Sequence, residues 1–320
     1  VQARLNLNIQ SPDPILLVGM GQSNALGSNS GGPNPANPLV KVYDPVTGLW
    51  GSSDYTQNPL LRAAPDGNGG NNNIVLSRAH RLAVDTGQEV YVVLDATGGT
   101  SIDEWVASGT SSTRYAAAKV KIEAALLLLP GKTTVDEIIW SQGEEDYDDT
   151  FSTHLGNLVL LRNQLRAETW CNYDMPIYMT GPSPLHDRYT WQNAMQYLCG
   201  RVDARCIFVA SNGLRTEYDT TGAGTPTPGT CDYTHFLGES LWEMGYYRIA
   251  DSSPVDMAPV LFYGRGTGPA SPNDSTVLAT ASSMVSFDSW TSTTNPNGVA
   301  ATGSLTWGYL CSADGSYSYA

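Results

Sequence analysis

At 320 residues the chain is long enough to bury a substantial core, as one large domain or as a large and a small one. Seventeen basic against thirty-one acidic residues leave a net charge of −14, which sets phosphate backbones and anionic membranes aside by simple repulsion and favours a neutral substrate. No apolar stretch reaches the ~20 residues a membrane-spanning helix needs, so the chain reads as soluble. The five cysteines, Cys171, Cys199, Cys206, Cys231 and Cys311, contain no Cys-x-x-Cys pair and no histidines at finger spacing, which argues against a structural zinc site. Their odd number leaves at least one thiol without an intramolecular partner. It fits either a reduced compartment or a secreted chain with one or two disulfides. A start at Val1 without a basic-then-apolar leader points to a processed or excised product.

Residues 1–13 open with a strict alternation of apolar and polar positions from Val1 to Ile9, the pattern of a half-buried strand or a link to an upstream part. After Pro14 the apolar run Ile15-Leu16-Leu17-Val18 leads into a turn rich in Gly, Ser and Asn, as a buried strand does when it ends in a functional loop. The segment Ser28 to Gly70 is dense in Pro, Asn and Gly and is expected to be largely irregular surface, followed by a helix near Ile74 to Val84. Strand-like runs then recur at Val90 to Leu94, Val135 to Trp140, Ile177 to Thr180 and Cys206 to Ala210. Helical patterns lie between them at about Arg114 to Leu129, Phe151 to Glu168 and Thr190 to Val202, and a last one runs from Phe236 to Ile249. This alternation predicts an α/β domain over 14–254: a three-layer sandwich with a central parallel sheet, binding its ligand beyond the carboxyl ends of the strands. From Asp251 to Ala320 the composition shifts to one basic residue, Arg265, and many Ser, Thr, Gly, Pro and aromatic residues. Residues 255–320 are therefore expected to form a small β-rich C-terminal appendage.

Four loops carry candidate chemistry. Ser23, in Gly21-Gln22-Ser23-Asn24, follows the first buried strand, where a serine on a tight turn can present its oxygen beside backbone N–H groups; an ordinary polar turn has the same appearance. The Gly-x-Ser-x-Gly elbow is not matched, since Ala25 stands at its last position. In Asp232-Tyr233-Thr234-His235 a carboxylate three residues before a histidine can fold back to hold the imidazole in the tautomer of a general base; a capped helix start is the plainer alternative. Gly98-Gly99, directly after a strand, lets the backbone turn an N–H toward developing negative charge. Gln142, in Trp140-Ser141-Gln142-Gly143-Glu144-Glu145-Asp146, offers a side-chain amide as a further donor. The acidic run from Glu144 to Asp149 also suits a helix start, and it lacks the glycine and terminal glutamate of an EF-hand loop. Trp105 is either a sugar-stacking surface or core. Cys231 beside Asp232 as a thiol nucleophile lacks a separate base.

Taken together, Gly21-Gln22-Ser23-Asn24, Gly98-Gly99-Thr100, Gln142-Gly143-Glu144-x-Asp146 and Asp232-x-x-His235 resemble the SGNH hydrolases. The resemblance is to the branch holding sialate O-acetylesterases and related carbohydrate acetylesterases, including some that act on xylan. It implies a flavodoxin-like fold, a catalytic triad of Ser23, Asp232 and His235, and an oxyanion hole made by Ser23, Gly99 (with Gly98 as competitor) and Gln142. Gln22, Asn24 and Glu144 would support the site, with Glu144 and Asp146 as scaffolding that hydrogen-bonds loop backbone. Two positions depart from the wider pattern: Ala25 where Met commonly follows the tetrad, and Gln142 in place of asparagine, which is usual in this branch. The implied reaction is serine-dependent removal of O-acetyl groups from a carbohydrate through an acyl-enzyme, with no cofactor and no metal. The implied partner is an O-acetylated glycan rather than nucleic acid or membrane, met outside the cell or on a virion or cell surface. A glycan-binding or structural module that keeps the fold without turnover is the alternative, and an assembly role for the terminal segments goes with it.

Overall fold

A computed structural model describes residues 13–27, 36–53, 73–106, 113–146, 149–182, 194–211, 214–216, 234–252, 310–311 and 317–318. The expected strand at Val1 to Ile9 lies outside these residues. So does nearly all of 255–320, of which only a small antiparallel pairing of Leu310–Cys311 with Tyr317–Ser318 is described.

Five parallel strands make the centre of the sheet: β1 (Ile15–Gly21), β4 (Val90–Ala96), β5 (Glu137–Ser141), β6 (Ile177–Thr180) and β7 (Cys206–Val209). Beyond β4 lie β2 (Val40–Asp44), parallel to it, and β3 (Leu49–Ser52), antiparallel to β2, so that the order across the sheet is β3-β2-β4-β1-β5-β6-β7. Of the stretch Ser28 to Gly70, expected to be largely irregular surface, only 36–53 are among the described residues, and there the hairpin β2–β3 stands instead. Its alternation, Val40-Lys41-Val42-Tyr43, is short. Its second strand is an edge on which Leu49 stays 62% exposed, so neither carries a strong local signal. The Asp44 side chain accepts from Val46 N–H at 2.9 Å and from the Thr47 hydroxyl at 3.0 Å, closing the turn, and Trp50 sets its ring edge against Tyr43 and Tyr91.

The strands are apolar on both faces because helices cover both. Leu16, Val18 and Met20 of β1 point to one side, with Val93, Ile138 and Trp140. There they meet Ile122 and Ala125 of α3 (Thr113–Leu127), Leu158, Leu161 and Leu165 of α4 (Phe151–Ala167), and Leu198 of α5 (194–202). Leu17 points to the other side, with Val92, Leu94 and Ile139, against Val75 and Ala79 of α2 (Ile74–Thr86) and Leu241 and Met244 of α6 (238–251). At ~1.5–3 kcal/mol for each fully buried aliphatic side chain, these two faces supply the main driving force of the fold. The result is the expected three-layer sandwich, with the sheet mixed at its β3 edge.

Helix ends agree with local chemistry. Asn73 caps α2 by accepting Leu76 N–H at 2.7 Å, Gly87 ends it in the left-handed region, and Thr150 caps α4. α2 and α6 pack so closely that a Cβ on Gly245 would stand 1.9 Å from Ser77 Oγ. Arg78 of α2 ties the helix to the sheet through both oxygens of Glu137 at 2.9 and 2.7 Å. Cys171, Cys199 and Cys206 are free thiols, and burial pushes Cys206 up to about 12. Among the described residues no helix is long and apolar enough to cross a membrane.

His80 of α2 is 2% exposed, its ring centroid 5.5 Å from that of Trp242, and burial pulls its pKa down from 6.5 to about 4. The folded state holds it neutral, whereas the unfolded chain protonates it below about pH 6.5, so stability present above that pH is lost as pH falls toward about 4. The variant His80→Leu should lose less thermal stability than the wild type between pH 7 and pH 4.5 on a melting series. Parallel losses in the two proteins would contradict the assignment.

Candidate active site

Among the five central strands the order β4-β1-β5-β6-β7 reverses direction at β1: the chain first crosses to β4 and then returns to β5 on the other side. Neighbouring connections diverge there and leave a crevice beyond the strand ends. The register makes the edge flush, since Gly21 is paired with Ala96 on β4 and with Ser141 on β5. Gly21 has φ +137, and a Cβ on it would stand 1.9 Å from the Ser141 carbonyl oxygen, so only glycine fits. Backbone bonds lock the three loop starts together: Gln22 N–H donates to Ser141 O at 2.9 Å, and Thr97 N–H donates to Gly21 O at 3.0 Å.

Immediately after Gly21 and Gln22 the chain turns into a single helical turn, α1 (Ser23–Leu26), closed by Gly27 in the left-handed region. Ser23 stands at its start, where the first backbone N–H groups have no intrahelical acceptor. His235 arrives from just before α6, and its Nε2 lies 2.8 Å from Ser23 Oγ. Ser23 is 7% exposed and His235 half-buried, so the pair is sheltered yet reachable. Asp232 lies outside the described residues, as does Cys231.

Gln22, Asn24 and Glu144 come together beneath this pair. Glu144, 4% exposed, accepts from Gln22 Nε2 at 2.5 Å and from Asn24 Nδ2 at 2.8 Å. Both of these donors are side-chain amides of the serine loop. Asn24 also donates to Thr234 O at 3.0 Å and accepts from Phe236 N–H at 3.1 Å. These contacts, between residues 210 and 212 positions apart, had no signal in the sequence beyond two amides flanking the serine.

The glycine loop follows β4. Gly99 takes φ +65 in an exposed position and Gly98 is half-buried beside it. The Thr100 hydroxyl donates to Thr97 O at 2.8 Å and accepts from Trp105 Nε1 at 3.3 Å, closing the loop over the core. Trp105 is fully buried and sets its ring edge-on to Trp140, which decides for core over sugar stacking. Gln142 is 1% exposed; its Nε2 donates to Thr100 O at 3.1 Å and to Asp146 Oδ2. Asp146 also accepts Ile102 N–H at 2.8 Å. Burial pushes its carboxyl up, against the pull of His154 and of these donors. Asp146, Asp149 and His154 are the group among the described residues whose atoms lie close enough to hold a cation, but both oxygens of Asp146 are already engaged by Ile102 and Gln142.

A serine hydroxyl bonded to an imidazole, beside a glycine loop and a buried amide at a sheet switch point, is an arrangement for acyl transfer. The family model described as carbohydrate esterase, sialic acid-specific acetylesterase, matches residues 15–230, well over half of the chain. The chain belongs to this family. The carbohydrate esterase is accordingly a carboxylic ester hydrolase, and the family's reaction is O-deacetylation of carbohydrates. Its fold is similar to that of a solved protein from Arabidopsis thaliana, with a TM-score of 0.55 and 17% identity over 75% of this chain and 97% of that one. NanS is similar as well, with a TM-score of 0.54 and 17% identity over 76% and 97%. No curated protein sequence matches the chain.

The tight junction of β1 with β5 is open to a direct test. Gly21→Ala should lower unfolding stability in urea by about 1–3 kcal/mol or more through overpacking, and depress esterase activity with it. An unchanged midpoint would show that the two strands do not need this contact.

Proposed function

We propose that the carbohydrate esterase cleaves acetyl esters by two-step acyl transfer on Ser23, with His235 as general base. The observation that carries this reading is the 2.8 Å contact between His235 Nε2 and Ser23 Oγ. That separation is the reach a base needs to take the hydroxyl proton as the oxygen attacks. Ser23 Oγ adds to the ester carbonyl carbon and His235 receives its proton. As the tetrahedral intermediate collapses, the sugar oxygen leaves and takes that proton, and the acetyl group stays on Ser23. Water then attacks the acyl-enzyme, His235 accepts its proton, and Ser23 is regenerated with release of acetate. Asp232, three residues upstream of His235, is the proposed orienting carboxylate.

The developing oxyanion would be met by the N–H of Ser23 at the start of α1, by the N–H of Gly99, and by the Gln142 amide, which must then trade its bond to the Thr100 carbonyl. The substrate we propose is a neutral or weakly acidic O-acetylated sugar, in keeping with the net charge of −14.

Acetate release from an aryl acetate and from acetylated glycans, compared between wild type and Ser23→Ala, tests the nucleophile: the variant should be inactive. Equal rates would favour a binding module over an enzyme working through this serine. Gln142→Ala should lower kcat by ~10²–10³ while the protein stays folded, the usual loss for one oxyanion donor. A full rate in that variant would remove Gln142 from the oxyanion hole. Since only the neutral imidazole can accept the Ser23 proton, the wild-type rate should climb with pH on the acid side. A profile flat from mildly acidic to alkaline pH would speak against His235 as base.

A further inference from the structure

We infer that Asn24, oriented by Glu144, is a positioning residue that holds His235 against Ser23 from the nucleophile's own helical turn. The inference rests on the reading of Ser23 and His235 as nucleophile and base. Its ground is a chain of bonds that brackets the histidine. The Asn24 amide donates to the carbonyl of Thr234, the residue before His235, and accepts from the N–H of Phe236, the residue after it. One fully buried side chain therefore grips the backbone on both sides of the imidazole. Because Asn24 is next to Ser23 in α1, the path from nucleophile to base runs through one peptide unit and one amide.

Glu144 decides which way that amide faces. With Nδ2 toward Glu144 Oε1 and Thr234 O, and Oδ1 toward Phe236 N–H, every contact pairs a donor with an acceptor. A flipped amide would set its oxygen against a carboxylate and a carbonyl and its nitrogen against an N–H, three repulsions in a buried site. The second Glu144 oxygen is occupied by Gln22 Nε2, so the carboxylate cannot turn away without stranding that donor. This tether is separate from any bond that Asp232 makes to the imidazole ring. It governs where the histidine stands, whereas a triad carboxylate acts on the ring's tautomer and charge.

Replacing the amide by a carboxylate separates positioning from simple loss of structure. In Asn24→Asp the acceptor for Phe236 survives, but an oxygen faces Glu144 and Thr234 where a donor stood. We expect kcat on an aryl acetate to fall by ~10²-fold, the usual result of a misplaced catalytic group, with KM little changed. The rate of Ser23 phosphonylation by a fluorophosphonate probe should drop by the same factor. Glu144→Gln alone should lower kcat in the same manner while leaving Ser23, Asn24 and His235 in the chain. Combining Asn24→Asp with Glu144→Gln restores a donor opposite the new carboxylate and should recover about tenfold or more over Asn24→Asp alone, a coupling that independent sites do not show. Thermal midpoints taken alongside identify any variant that has unfolded; the comparison then rests on Glu144→Gln. A full kcat in both single variants, with Ser23→Ala inactive, would overturn the positioning role and leave the nucleophile standing. A double variant no better than Asn24→Asp would overturn the part assigned to Glu144. Activity retained in Ser23→Ala would overturn the nucleophile and, with it, this inference.

Discussion

The contact between the Gly21 backbone and the Ser141 carbonyl is the constraint on which the site depends. With no side chain at Gly21, β1 and β5 approach so closely that Gln22 N–H reaches Ser141 O, while Thr97 on the opposite side bonds Gly21 O. Three loops that carry a serine, a glycine pair and a glutamine thus leave the sheet within a few ångströms of one another. Any residue with a Cβ at this point would push the strands apart and scatter those groups. The chemistry is therefore set by the sheet before any side chain of the site is considered.

Around this junction the protein solves a second problem, the burial of two carboxylates. Glu144 and Asp146 are both nearly inaccessible, and an unsatisfied buried charge costs several kcal/mol. Each is answered by two N–H donors: Gln22 and Asn24 of the serine loop for Glu144, and Ile102 from beyond the glycine loop with Gln142 of its own loop for Asp146. The acidic segment after β5 consequently acts as a staple. Glu144 binds it to the serine loop and, through Asn24, to the histidine loop. Asp146 binds it to the chain that follows the glycine loop. In a low-dielectric interior such bonds are directional, so the network specifies one arrangement of the four loops.

Much of this was legible in one dimension. Apolar runs bounded by Gly and Pro located β1, β4, β6 and β7 to within a few residues. The five helical patterns fall on α2 to α6, the start of the one at Thr190 to Val202 lying outside the described residues, because a half-buried helix and a doubly covered strand leave different periods; the single turn α1 had no such pattern. The hairpin β2–β3 was not legible, since its strands are brief, one is an exposed edge, and the surrounding Pro, Asn and Gly outweigh them. Trp105 was ambiguous for a different reason: an indole suits a sugar face and a core equally well, and only its burial against Trp140 separates the two. The purpose of Glu144 was half-read, as scaffolding, because a carboxylate in a loop gives no hint of which donors lie across from it.

The reaction class came from the resemblance of four motifs to a known family, and what the amino-acid sequence by itself supplied was a set of candidates: a serine after a buried strand, a histidine before the last helix, a glycine pair and an amide on intervening loops. Those are local matters of residue type and periodicity, and they are written along the chain. Only the tertiary structure decided that Ser23 and His235, 212 positions apart, stand 2.8 Å from each other, and that Asn24 spans the backbone around the histidine. The reason is that strand order and register are properties of pairs of segments. Hydrogen-bond partners across a sheet edge depend on the summed packing of both faces, and no single stretch of sequence contains that sum.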